Sequence, residues 1–153
     1  MRQLAVKIAM MALLVIALVI PGQALAAQTP PPPEILTPFT QFDPDFDYLE
    51  KGAAYISYSG KGKASIWGET IATRRVDKAG IQLVLQRWTG SEWIDVYTGD
   101  KSEMSDSSRN NKTINNLSVS SGYYYRVKST HWISYGSIRE EGTRYSSSLL
   151  IPE

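Results

Sequence analysis

"GYYYRVKSTHW" occupies Gly122 to Trp132 and decides how the chain folds. Taken two residues at a time, Tyr123, Tyr125 and Val127 fall on one side, and Tyr124, Arg126, Lys128 and Trp132 on the other. A period of two with different chemistry on each side is expected of an antiparallel strand with one face against a core. We assign Tyr123, Tyr125 and Val127 to that core and the other side to the outer face. Upstream, "LQRWTGSEWIDV" (Leu85–Val96) reads as a hairpin. Gly90-Ser91 puts glycine first of the two central residues, as a type II′ turn requires. The turn then sets Trp88 against Trp93, Arg87 against Ile94, Gln86 against Asp95, Leu85 against Val96 and Val84 against Tyr97. One face collects Ile81, Leu83, Leu85, Ile94 and Val96, a second contribution to the core. The other collects Val84, Gln86, Trp88, Trp93, Asp95 and Tyr97.

Extending outward, serine, threonine, tyrosine and β-branched residues alternate from Gly52 onward, with glycines at turn-like intervals and no sustained helical period. This texture predicts an all-β chain with strands at Ala53–Ser59, Lys63–Arg75, Gly80–Trp88, Trp93–Tyr97, Lys112–Val119, Tyr123–Trp132 and Thr143–Ile151. Lys101–Asn111 reads as a polar loop. Seven strands in residues 52–153 match an antiparallel, immunoglobulin-like β-sandwich, which takes about 100 residues. In that arrangement the third and sixth strands are neighbours. Their outer sides then merge into one aromatic and basic face of Trp88, Trp93, Tyr97, Tyr124, Arg126, Lys128 and Trp132. The competing expectation is that the N-terminal segment covers this face, with Phe39, Phe42 and Phe46 as the covering side chains.

The N-terminus carries a different signal. Arg2 and Lys7 precede an uncharged apolar run from Ile8 to Ile20, Pro21-Gly22 breaks it, and Ala24-Leu25-Ala26 supplies small residues for cleavage. This is the pattern of a secretory leader, cut after Ala26. The run is shorter than the ~18–20 residues a membrane span needs, so no stable span is expected after cleavage. Residues 27–51, with Pro30–Pro33 consecutive and Pro38 and Pro44 beyond, read as an extended linker. The chain has 16 Lys and Arg against 15 Asp and Glu, and loss of Arg2 and Lys7 leaves it near neutrality. Nothing in that balance draws the molecule to nucleic acid or an anionic membrane. Absence of cysteine excludes disulfides, thiol catalysis and cysteine metal sites.

Two motif readings fail on their spacing. Asp43, Asp45 and Asp47 alternate like a calcium loop, but the sixth and twelfth positions hold Tyr48 and Ala54 in place of the glycine and glutamate required. Gly60-Lys61-Gly62-Lys63 lacks the spacing and the helix of a phosphate loop, and reads as a turn. His131 is the only histidine. It falls on the core side, where a hydrogen-bonded structural role is expected, and no G-x-S-x-G elbow accompanies it. Zinc and other cofactors have no evident ligand set. Glu69, Glu92, Asp95, Glu140 and Glu141 are the carboxylates from which a glycosidase pair would be drawn.

"GYYYRVKSTHW", the glycine loop at Gly136 and the closing "YSSSLLI" are together similar to the last two strands of fibronectin type III-like domains. Gly60–Ala72, Leu85–Val96 and Gly122–His131 resemble stretches of a group of small exported proteins of Gram-positive spore-forming bacteria. That resemblance implies secretion and a β-sandwich, and supplies no catalytic residues because none are established for the group. The expected function is that of a secreted, non-catalytic binding module. It would use the aromatic-basic face on an envelope polysaccharide, an anionic wall polymer or a protein. The alternatives are an assembly subunit whose N-terminal segment adds to a sheet edge, and, less favoured, a carboxylate-based glycosidase.

Overall fold

A computed structural model describes residues 29–33, 42 and 45–153. Residues 1–26, read above as a leader, and Phe39 and Asp43 lie outside the described residues. The chain is all-β and antiparallel, as its alternation predicts, with seven strands: β1 (Leu49–Gly60), β2 (Lys63–Trp88), β3 (Trp93–Thr98), β4 (Ser102–Ser118), β5 (Tyr124–Tyr135), β6 (Ile138–Tyr145) and β7 (Leu149–Leu150). The strands form one hydrogen-bonded sheet that curls into a half-barrel with the packing of a sandwich. No helix among the described residues is long and apolar enough to cross a membrane.

β2 organises the molecule. The two strands expected at Lys63–Arg75 and Gly80–Trp88 are one strand of 26 residues. β4 and then β3 line one edge of β2, while β1 and then β5 line the other. The polar stretch Arg74–Lys78 does not end the strand. It carries a register irregularity against β4 between Ile71 and Val76, and Val76 turns back into the core. The sheet therefore folds over, and β1 comes to lie against β5 and β6.

Between the two halves sit two apolar clusters. One joins Ala64, Ile66, Ile81, Leu83, Leu85, Tyr125, Val127 and Ile151. The other joins Phe42, Leu49, Ala72, Val76, Ala79 and Ile133. The parity of β5 holds: Tyr125, Val127, Ser129, His131 and Ile133 are all buried on one side. Tyr123 is the exception to its expected place. It precedes the strand, is exposed, and stacks under Arg87 with 4.9 Å from guanidinium carbon to ring centre.

Several boundaries differ from expectation for identifiable reasons. β1 starts at Leu49, inside the segment read as linker, because the Glu140 carboxylate gathers the backbone amides of Asp47, Tyr48 and Leu49 at 2.8, 3.0 and 2.6 Å. Phe42 is core and not cover: its ring fills space left by Gly52 and Gly142, where a Cβ would approach it within 2.6 and 2.5 Å. Phe46 packs on the same cluster. The expected loop Lys101–Asn111 is mostly strand, because β4 draws its order from pairing with β2 rather than from an apolar face of its own. The last expected strand, Thr143–Ile151, is split between the end of β6 and β7 by the serines 146–148.

Candidate functional site

The Leu85–Val96 hairpin keeps the expected register at three pairs: Trp88 with Trp93, Arg87 with Ile94 and Gln86 with Asp95. A bulge then inserts Val96, so that Leu85 pairs with Tyr97 and Val84 with Thr98. Side chains alternate along a strand, so the extra residue reverses every later position. Tyr97 thereby leaves the Trp88 face for that of Leu85, and Val96, expected in the core, is 42% exposed.

The seven residues expected to make one outer patch do not form it: the bulge removes Tyr97, and Trp132 pairs with Gly80, eight residues along β2 from Trp88. Trp88, Trp93 and Arg126 form a first group. The two indoles lie 5.4 Å apart at 50°. The Arg126 guanidinium is held between the rings of Trp93 and Tyr145, 4.3 and 4.2 Å from their centres. Its Nε–H donates to Gln86 Oε1 at 2.8 Å, and Gln86 Nε2 donates to Asp95 Oδ1 at 2.7 Å. Arg126 is only 8% exposed, and its Nη1 is buried without a partner among the described residues. Burial pushes its pKa below the ordinary arginine value, opposed by Tyr145 and Asp95. Trp132 forms a second group at the other end of β5. Its indole lies flat on Gly80, where a Cβ would come within 1.9 Å, and its Nε1–H donates to Glu103 at 2.9 Å. That hydrogen bond, then the one from Lys78, holds the Glu103 carboxyl below its usual range. Tyr124 pairs with Leu150, and Lys128 sits between Val84 and Tyr145.

Trp88 and Trp132 are thus buried, at 7% and 3% exposure. The N-terminal segment does cover Trp88, but through its prolines: Trp88 Nε1–H donates to the carbonyl of Pro30 at 3.0 Å, and Pro32 is buried.

A different aromatic pair is left open. Tyr55 on β1 faces Trp67 on β2, and Trp67 faces Thr113 on β4. The rings are 5.2 Å apart at 34°, and Tyr55 is 54% exposed. They stand over a shallow groove of about 190 Å³ lined also by Ser57, Ser65 and Thr113. On the same face Glu69 pairs with Arg109 at 3.3 Å, and Lys63 Nζ donates to Ser118 at 2.9 Å. Sequence reasoning missed this site. A tight turn at Lys61-Gly62 would pair Trp67 with Ile56, and only the irregularity between Tyr58 and Gly60 brings Tyr55 opposite Trp67. The one available signal was the alternation Ala64, Ile66, Gly68, which leaves Ser65 and Trp67 outward.

The carboxylates have structural engagements. Glu140 binds the three amides at the start of β1, Glu141 pairs with Arg139 at 2.8 Å, Glu69 with Arg109, and Asp95 with Gln86. Glu92 is exposed beside the hairpin turn. Among the described residues no cluster of His, Asp and Glu is arranged to hold a metal ion. His131 is fully buried. Thr70 Oγ1 donates to the Gly80 carbonyl at 2.9 Å, so its single hydrogen is used and it must accept from His131 Nδ1–H at 2.8 Å. Nε2 is then the acceptor for Ser129 Oγ–H at 2.7 Å, which takes that single hydrogen in preference to the longer 3.3 Å approach to the Arg144 carbonyl. Burial, with Arg144 nearby, lowers the imidazole pKa to about 3. A neutral ring whose two nitrogens are both satisfied ties β2 to β5, as its core-side position led us to expect.

The chain matches no protein-family model, no curated protein and no solved structure.

Proposed function

We propose that the protein is a non-catalytic binding module of the extracellular or cell-wall space, and that it takes an envelope glycan on the Tyr55–Trp67 face. The observation that carries this reading is the open ring pair above a groove edged by hydroxyls. Aromatic rings stack on the apolar faces of sugars, while Ser57, Ser65 and Thr113 exchange hydrogen bonds with sugar hydroxyls. The groove, at about 190 Å³, is smaller than the roughly 300 Å³ at which drug-sized sites begin. That size and its open shape suit one or two units of a polymer that runs on along the sheet. The leader-like N-terminus supports export, and the resemblance to small exported proteins points the same way.

Tyr55→Ala and Trp67→Ala test the reading in a pull-down on purified cell wall and on soluble wall glycans. Each should lower retention by about tenfold or more, the loss of one well-packed ring at a binding surface. Trp132→Phe, on the other half of the sheet, should leave it unchanged. Full retention by both variants, with the fold intact, would remove the assignment. The alternative of assembly by sheet-edge addition has less support, because Thr29–Pro33 lies across Trp88 and outside any strand.

A further inference from the structure

We propose that the surface around Trp88, Trp93 and Arg126 is a polyproline-recognition groove. The chain's own Thr29–Pro33 strap fills it in cis, and a proline-rich peptide fills it in trans once the strap is displaced. The inference stands apart from the glycan face, on residues that face does not use.

Four consecutive prolines lack amide hydrogens and favour an extended helix without internal hydrogen bonds, so their carbonyls stay available. The groove answers that chemistry. Trp88 Nε1–H, the one polar group of its side chain, donates to the Pro30 carbonyl at 3.0 Å. The strap closes over the hairpin turn, where a Cβ on Gly90 would meet Pro30 Cδ at 3.6 Å and Thr29 Cγ2 at 3.7 Å. Pro32 is buried. Pro33 completes a cavity of about 30 Å³ with Trp93, Arg126 and the serines 146–148. This is about the volume of one water molecule, so little space is left between Pro33 and the Arg126 guanidinium. Arg126 lines the cavity as a flat donor stacked between two rings, with Nη1 still unpartnered among the described residues. Aromatic walls, an indole donor and a second donor held beside them are the elements by which other domains read proline-rich segments. A glycan would use such walls too, but the occupant already seated here is a proline segment, held by one buried ring, Pro32, and by the hydrogen bond from Trp88 to the Pro30 carbonyl.

The test uses the full chain with Pro30, Pro31, Pro32 and Pro33 all changed to glycine, and a second variant, Pro32→Glu, which places a charge where a buried ring sat. The probe is the synthetic peptide Thr-Pro-Pro-Pro-Pro. The readout is the nitrogen-15 indole resonance of Trp88, identified by its loss in Trp88→Phe, with amide dispersion reporting that the fold is kept. The Trp88 indole hydrogen should exchange faster with solvent in both variants. The peptide should restore protection saturably, and Thr-Gly-Gly-Gly-Gly should not. Trp88→Phe in the glycine background, followed at the indole resonance of the neighbouring Trp93, should weaken peptide binding by about 2- to 10-fold, the worth of one hydrogen bond. Tyr55→Ala should leave peptide binding unchanged, which separates this result from the glycan reading. An indole that stays protected in both strap variants, or folded variants in which the peptide produces no saturable shift at Trp88, would overturn the proposal.

Discussion

Glu140→Ala should be among the most damaging single changes outside the apolar core. The carboxylate is buried between β6 and the start of β1, where Oε2 accepts from the amides of Tyr48 and Leu49 and Oε1 from that of Asp47. Leu49 is 1% exposed, so water cannot replace the lost acceptor at its amide, and a stranded buried donor costs about 1–3 kcal/mol. Tyr48 and Asp47 are less buried, so their amides regain water and add about 0.5 kcal/mol each. Together these give about 2–4 kcal/mol. Glu140→Gln should cost less, about 1–2 kcal/mol: its oxygen can keep Tyr48 and Leu49, but its amide group faces the Asp47 amide, and neutral hydrogen bonds are about half as strong as charge-assisted ones. Urea unfolding measures both. With a slope of about 1–3 kcal/mol per molar, the alanine variant's midpoint should fall by roughly 1–2 M. Hydrogen exchange at the Leu49 amide should accelerate before global unfolding does. An alanine variant within 1 kcal/mol of the parent, or one with undiminished protection at Leu49, would refute the view that this carboxylate starts β1.

Two further predictions concern the core. His131 stays neutral in the fold with its pKa lowered to about 3, while the unfolded chain takes up a proton below about 6.5. The unfolded state therefore binds more protons in this window, and stability falls as pH falls through it. His131 should cost about 2 kcal/mol of stability between pH 8 and pH 5, a loss that disappears from the pH profile of His131→Gln; an imidazole carbon resonance that titrates near 6.5 in the folded protein would contradict this. Gly80→Ala puts a methyl group inside the Trp132 ring position and should destabilise by about 1–3 kcal/mol while shifting the Trp132 indole resonance; a neutral thermal melt would mean the ring is not seated there.

How far the sequence could be read follows from where order comes from. β5 was legible because each of its faces meets a different environment, and Tyr125, Val127, Ser129, His131 and Ile133 record it at a strict period of two. β4 was not, because it bonds to β2 along one side only and most of its side chains are exposed. Its serines, asparagines and charges suit an edge strand that must not recruit another sheet, and the same residues read as loop. The long β2 was hidden by Arg74–Lys78, a polar crossing at the fold-over where local composition predicts a break; pairing does lapse between Ile71 and Val76, but the strand resumes against β4 and takes up β5 from Lys78. Of the candidate site, the chemistry was legible and the exposure was not. Trp88 and Trp93 do pair, and Arg126 does share their face, but the cover over them comes from residues some sixty positions away, a separation spanned by the Trp88–Pro30 hydrogen bond. Single-residue bulges are the other blind spot: one at Val96 removed Tyr97 from the expected face, and one beyond Tyr58 created the Tyr55–Trp67 pair.

Because β2 lies at the centre of the pairing with β1, β3, β4 and β5, neither half of the half-barrel is a separable piece. Melting should be all-or-none despite the two apolar clusters, and a protease that nicks the Gly136 hairpin should leave a molecule that still holds together. A cut near Val76 should leave two fragments that stay unstructured apart and reassemble only when mixed. The same placement makes the protein a natural split reporter, with the break point written at the crossing between its two halves.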